Sequence, residues 1–351
     1  MRKSWTPNTL SADRSGVAII LVLWVVMVLS LLISGFAFTM HVETQVASYG
    51  RKELKAEMLA RSGVEVARME LMLHQQSPTN SQFDASNQEW ATNELLYVDH
   101  KLGDGTYNVK VTDEESKIPI NFIAAAPQGD LVLKRLLSIL GVDPFDGDVI
   151  IDSILDWIDA DDLTRLNGAE SDYYQSLSPP YRAKNAPIDR VAEMLLIRGV
   201  TPELYYGTAT ADQEARPSFP ELFTTWPTGR INVNTASSIV LQAMLNLDDQ
   251  RAQAIISQRD GPDGIPGTED DQPYPTVAAF PATQEQAQTQ TQPQPQTQLA
   301  SLISVNSSFF TVKSTGEVGG VKRTLVVTLH RDPWPGTNMQ VVAWCELRGG
   351  Q

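Results

Sequence analysis

Residues Val17–Met40 read VAIILVLWVVMVLSLLISGFAFTM, 24 residues without one charged side chain. About 20 apolar residues, rising 1.5 Å each, cross the roughly 30 Å hydrocarbon core of a bilayer, so this stretch is long enough to span one. A secretory signal has a shorter apolar core of about 7–15 residues and a small-x-small exit site. No A-x-A-like site follows Met40, so the segment is expected to be retained. Arg2, Lys3 and Arg14 precede it. That bias predicts a cytoplasmic N-terminus and an exported remainder. Beyond the span, Val46, Tyr49, Leu54, Met58, Leu59, Val66, Met69 and Leu73 recur at three- and four-residue steps with charges between them. The spacing predicts that the helix continues to about Gln75 with an apolar stripe. The whole rod would be roughly 85–90 Å long. Ser62-Gly63 is read as a place where it bends or tightens without ending.

Working outward, Gly103-Asp104-Gly105 turns the chain into Thr106–Thr112, where Tyr107, Val109 and Val111 alternate with polar residues as in a half-buried strand. Ser116–Phe122 is expected to be a second strand. Phe309–Gly316 and Val321–His330 form a closing pair, with a glycine-bearing turn at Glu317–Gly320. Between the pairs lie helical patterns at Leu131–Leu140, Val149–Ile158 and Arg190–Ile197, then a helix opened by Ile231–Ala236 and running through Leu245, and a return helix ending at Arg259. The predicted class is α+β: a stem helix on a small antiparallel sheet, with a large, mostly helical insertion. The expected divisions are a leader (1–16), a membrane helix (17–40), a stem (41–76), the first part of the sheet (77–127), the insertion (128–275), a low-complexity Gln/Pro/Thr loop (276–300), the closing strands (301–333) and a tail (334–351). Residues 281–298 have too few apolar side chains to bury a core. In the tail, Val341–Cys345 suggests one more strand.

Composition narrows the function. The formal charge is −15, which repels phosphate backbones and disfavours nucleic acid as a partner. Cys345 is the single cysteine, so no intramolecular disulfide forms. The four histidines are scattered. No P-loop, H-E-x-x-H or Ser/His/Asp arrangement is present, and no enzyme is expected. The stretch Ile231-Asn232-Val233-Asn234-Thr235-Ala236 also opens helix-hairpin-helix (SAM-like) modules, some of which grip DNA. Thr235 or Asn234 would cap the first helix. The turn Asn246-Leu247-Asp248-Asp249 has two acids and no glycine, so a structural module is expected in place of a DNA grip.

Two acidic stretches suggest calcium. The loop at 260–271 holds Asp260, Asp263, Glu269, Asp270 and Asp271 among glycines and prolines. Ca²⁺ takes six to eight oxygen ligands, and a tight glycine-rich loop lets carboxylates and carbonyls converge. The second stretch contains Asp152, Asp156, Asp159, Asp161, Asp162, Glu170 and Asp172. Of these, Asp156, Asp159, Asp161 and Asp172 are the candidate ligands. Asp152 and Asp156 lie one helical turn apart and need a cation or an arginine, with Arg165 and Arg182 as candidates.

Arg14-Ser15-Gly16 set directly against the apolar run resembles the processing site of type IV pilin-like precursors. That resemblance implies cleavage by a prepilin peptidase after Gly16 and methylation of the new N-terminus at Val17. Most such proteins carry Glu at the fifth mature position, which here is Leu21. The strings Asp156–Asp161, Gly168–Tyr174, Pro179–Pro187, Arg198–Tyr205 and Ile231–Ala236 are similar to the helical domain of the K-type minor pseudopilins of type II secretion. The resemblance implies a pilin-like stem and sheet, bound calcium, and a place at the tip of a filament. It implies other minor pseudopilins, the prepilin peptidase, and secreted cargo or the outer-membrane channel as partners. It further implies a single-pass inner-membrane protein with a periplasmic head. The alternatives are an anchored DNA-uptake receptor using the Ile231–Ala236 module, marked by a basic face, and a periplasmic metal-dependent hydrolase.

Overall fold

A computed structural model describes residues 14–77, 82–208, 216–281, 301–332 and 338–347. Most of the expected leader, and the low-complexity stretch beyond Pro281, lie outside the described residues. Helix α1, Arg14–Gln76, is 63 residues long and unites the span with the stem. It runs through Gly63 without interruption. Its apolar first part is exposed along its length, as suits a segment whose solvent is lipid.

The stripe that α1 buries differs from the expected one. Ala56, Leu59, Ala60, Val64, Ala67 and Leu71 are buried, whereas Val46, Tyr49, Leu54, Met58, Met69 and Leu73 are exposed. The periodicity was right, but the buried face carries small residues where the sheet comes unusually close. A Cβ on Gly316 would collide with the Ala56 carbonyl, and one on Gly63 with the Ser314 hydroxyl. No larger side chain fits at those two crossings, and Leu59, Val64 and Leu71 are buried around them.

The sheet has five strands, all antiparallel and in chain order: β1 (His100–Leu102), β2 (Gly105–Asp113), β3 (Phe309–Val318), β4 (Val321–Arg331) and β5 (Met339–Leu347). Val111 faces Val312, and Val312 faces Val327, which fixes one apolar row against α1. The β3–β4 turn closes Val318 on Val321 with Gly319 and Gly320 both at positive φ. That is the two-residue hairpin whose twist matches the strands. The tail strand forms as expected. Short helices at Glu89–Thr92 and Glu94–Tyr97 set Trp90 edge-on to Phe310, with ring centroids 5.2 Å apart.

The insertion enters after β2 and returns before β3. It has its own core, with Leu133, Leu136, Ile154, Trp157, Tyr174, Met194, Phe219, Phe223, Val240 and Leu241 buried together. Its main helices are α2 (Gly129–Ile139), α3 (Pro144–Ile158), α4 (Ser238–Leu245) and α5 (Asp249–Arg259).

Three local expectations are corrected. Ser116–Phe122 is not a strand: a 3₁₀ turn at Glu114–Ser116 is capped by Asp113. A two-residue strand, Ile118–Pro119, then pairs in parallel with Phe223–Thr224, and a helix follows over Ile120–Ala125. The cap ends the strand pattern there. Arg190–Ile197 is a six-residue 3₁₀ helix, Val191–Leu196, too short for α-helical cooperativity. Ile231–Ala236 does not open a helix through Thr235 or Asn234. Ile231–Asn232 pairs in parallel with Ile303–Ser304, and Ser237 caps α4.

The stem-to-sheet gap yields a prediction. Gly316→Val should overpack it and cost about 1–3 kcal/mol. Thermal unfolding of the full-length protein should show the loss, and an unchanged melting temperature would refute the close-packing account.

Candidate functional site

Helix α3 and the loop after it bring the second acidic stretch together. Asp143 caps the helix and Pro144 starts it. Asp152 and Asp156 then point the same way, as their spacing required. Asp156 is fully buried and is answered by Arg165, whose guanidinium lies 2.8 Å from Oδ1 and whose backbone N–H donates to Oδ2 at 3.2 Å. Arg165 also pairs with Asp159. Asp152 accepts from the Asn167 N–H at 2.9 Å. Gly168 is required here, because a Cβ at that position would strike the Asp156 carboxylate.

Three carboxylates then converge without a protein cation between them all. One oxygen each from Asp159, Asp161 and Glu170 lies within 4.8 Å of the others, the one such group among the described residues. Glu170 is 3 % exposed, and neither carboxylate oxygen has a hydrogen-bond partner; Asp159 Oδ1 has none either. Burial first, and then the charges of Asp156, Asp159, Asp162 and Asp161, push the Glu170 carboxyl up to about 7. An unpartnered buried carboxylate is costly unless a cation or a proton meets it. Asp172 is not one of the three, but it lines a cavity of about 270 Å³ with Glu170, Asp162 and Arg182. Asp156 faces Arg165 in place of the group. Glu170 belonged to the acidic stretch but not to the predicted ligand set; nothing in its neighbours along the chain signals burial.

The 260–271 loop arranges its acids differently. Asp260 is buried and pairs with Arg259 at 2.6 Å. Arg259 also donates to the carbonyls of Val233 (3.2 Å) and Ala236 (2.7 Å), tying the loop to the Ile231–Ala236 segment. Asp263 accepts from the Ile265 N–H, Asp270 from the Thr268 hydroxyl and the Asp263 N–H, and Asp271 from the Gly267 N–H. The Thr268 hydroxyl is the main reason that the Asp270 carboxyl lies below its ordinary range. Glu269 is exposed. These carboxylates brace the loop's own turns and do not meet at one point.

A buried polar node joins the insertion to the sheet. Asp113, at the end of β2, accepts from Asn232 Nδ2 (3.1 Å), Thr235 Oγ1 (2.5 Å) and Ser307 Oγ (2.6 Å). Asn232 also donates to the Asp84 carbonyl at 3.1 Å. The Asp84 carboxylate meets Arg331, the Ser307 N–H at 2.7 Å and the His74 ring at 3.1 Å. Glu115 accepts from the Ser308 N–H at 2.7 Å. Burial opposes the Asp84 charge, but Arg331 and His74 hold its carboxyl below the ordinary range. Burial pushes Asp113 up to about 6 and Glu115 up to about 8, with the Asp113 charge adding to the second. The polar atoms of Asn232 and Thr235 are thus used inside the protein. The α4–α5 turn places Asn246 at positive φ and caps α5 with Asp248. Neither arrangement offers amides to a nucleic-acid phosphate.

A helix long and apolar enough to cross a membrane once, continuing as the stem of an antiparallel sheet, is consistent with a single-pass, pilin-like subunit. A family model described as "Type II secretion system (T2SS), protein K" matches residues 106–208 and 231–306 in two parts, together more than half of the chain. The chain belongs to the type II secretion system protein K family, minor pseudopilins of that system. The type II secretion system protein K of Pseudomonas aeruginosa is 26 % identical over 332 residues, covering 91 % of this chain and 89 % of the relative. That of Aeromonas hydrophila is 25 % identical over 284 residues, covering 75 % and 76 %. Among solved structures, the GspK–GspI–GspJ complex of enterotoxigenic Escherichia coli contains a chain with the same fold. Its TM-score is 0.67 at 20 % identity, over 88 % of this chain and 100 % of that one.

The node sets a pH dependence. Asp113 and Glu115 hold protons more tightly folded than unfolded, so the folded state binds more protons between about pH 4 and 8. Their contribution is full below the unfolded values and is lost as pH rises through the folded ones. The melting temperature should therefore fall by a few degrees from pH 4.5 to 8.5, and Glu115→Gln should flatten that fall. An unchanged slope in the variant would exclude Glu115 as its source.

Proposed function

We propose that this subunit stands at the tip of the type II secretion pseudopilus, with its helical insertion as the crown. The observation that carries the reading is the free stem face. The alanine–glycine face of α1 is filled by its own sheet, while Leu54, Met58, Met69 and Leu73 remain exposed. Such a face suits the stems of neighbouring minor pseudopilins, and the structural relative was solved with two partners in a GspK–GspI–GspJ complex. Leu21 adds direction. A membrane carboxylate needs a partner to offset its cost, and a subunit without one at this position makes no demand for a neighbour ahead of it. In this reading a prepilin peptidase cuts after Gly16 and Val17 becomes the methylated N-terminus. The apolar helix then lies in the inner membrane, the head lies in the periplasm, and the crown meets cargo or the outer-membrane channel. The role is structural, not catalytic.

Calcium belongs to the same reading. Asp159, Asp161 and Glu170 would hold it: the donors are hard oxygens, and the buried, unpartnered Glu170 carboxylate suits a cation ligand. The ion would supply the positive charge that Arg165 does not bring to Glu170. The 260–271 loop, with Asp260, Asp263, Glu269, Asp270 and Asp271, is the second candidate.

Two measurements test these points. Intact-mass analysis of membrane-extracted protein should find a chain beginning at Val17, with or without a methyl group; an intact leader in cells with active prepilin peptidase would remove the pseudopilus assignment. Calcium at about 100 times its dissociation constant should add about 2.7 kcal/mol to stability. The added stability should vanish in Glu170→Gln. A shift abolished by Asp271→Asn and untouched by Glu170→Gln would place the ion in the 260–271 loop.

A further inference from the structure

The loop that follows α3 keeps two leucines in water. Leu163 is 77 % exposed and Leu166 is 95 % exposed. The loop is not slack, because inward contacts fix it between and around them. The Leu163 N–H donates to Asp161 Oδ1 at 2.8 Å, Arg165 is held by buried Asp156, and the Asn167 N–H donates to Asp152 at 2.9 Å. Asn185 Nδ2 donates to the Asp161 carbonyl at 2.9 Å from across the fold. Fully burying a leucine gains about 1.5–3 kcal/mol, and this loop forgoes the gain twice within four residues. Buried Asp156 and half-buried Asp152 of α3 therefore maintain a conformation that hydrophobic packing alone would not choose.

The two leucines sit between the candidate ligands. Asp159 and Asp161 precede them and Glu170 follows. Without a cation this surface is acidic, on a chain of net charge −15, and an anionic surface would repel it. Calcium held there offsets two of the three carboxylate charges and presents its own positive charge to an outside anion. Three carboxylates give at most six oxygens, and two of these already face Arg165 and the Leu163 N–H, so an ion that takes six to eight retains room for an oxygen from outside. The loop around the leucines, Asp161-Asp162-Leu163-Thr164-Arg165-Leu166-Asn167-Gly168, has no other large apolar side chain. A protein groove matches an apolar patch with a packed surround. Isolated leucines beside a cation suit a fluid apolar phase under an anionic headgroup layer.

We propose that the 161–170 loop is a calcium-dependent anchor for an anionic phospholipid surface. Leu163 and Leu166 enter the interface, and Asp159, Asp161 and Glu170 hold the ion that joins them to lipid phosphate. The proposal rests on the calcium assignment above and adds its ligand and the residues that select it.

The test uses full-length protein in phosphatidylcholine nanodiscs, so that its own membrane helix is already satisfied. Flotation is measured with vesicles of phosphatidylcholine containing phosphatidylglycerol, with calcium or with chelator, alongside the calcium-induced thermal shift. Capture is expected in calcium, and chelator or vesicles of pure phosphatidylcholine should remove it. The Leu163→Ser/Leu166→Ser double variant should lose capture by about tenfold or more, while its calcium thermal shift stays that of the wild type. Equal capture of wild type and double variant overturns the proposal. Absence of capture with the thermal shift intact overturns the lipid anchor and leaves the metal centre standing. Absence of any calcium shift in the wild type overturns both.

Discussion

The buried carboxylate of Asp113 is the point on which the architecture turns. It ends β2, caps the following 3₁₀ turn through the Glu115 N–H at 2.8 Å, and gathers Asn232 and Thr235 from the insertion and Ser307 from the segment that leads into β3. A buried charge of this kind is tolerated only when its lone pairs are satisfied. The donors come from two distant parts of the chain, so satisfying it joins the crown to the sheet. Asp84, Arg331 and His74 extend the same network to the end of the stem. A crown held only by two linker strands could swing; one that shares a desolvated network with the stem moves with it. This suits a subunit whose insertion must follow the filament beneath it.

The same electrostatic logic, left incomplete, marks the candidate metal centre. Around Asp156 the protein supplies its own cation in Arg165. At Glu170 no cation reaches hydrogen-bond distance, and the carboxylate is left with burial and like charges. The contrast between two acidic sites fifteen residues apart or less is one of partners, not composition. In the 260–271 loop, hydroxyls and backbone N–H groups occupy the carboxylates, and that loop is a brace in this structure. A structural protein gains from such a division: permanent ion pairs fix the frame, and an open oxygen cluster answers to its surroundings.

Much of this was legible in the chain. The absence of charge from Val17 to Met40 dictates a membrane-compatible helix whatever follows, because charge burial in lipid is prohibitive and helical rise is fixed. Alternation in 106–112, 309–316 and 321–330, with Gly319-Gly320 between the last two, dictates the hairpin and its register, since period-two patterning and positive φ are local properties. The motifs from Asp156 to Ala236 carried the family. What tertiary structure alone decided was which stripe of α1 is buried, that Ser116–Phe122 abandons the strand, and that Ile231–Ala236 pairs with Ile303–Ser304 in place of starting a helix. It also decided which acids meet at Glu170. Each of these depends on groups far apart in sequence approaching within hydrogen-bond or van der Waals distance. Burial, and the cost of leaving a polar atom unpartnered, exist only once those surfaces are closed.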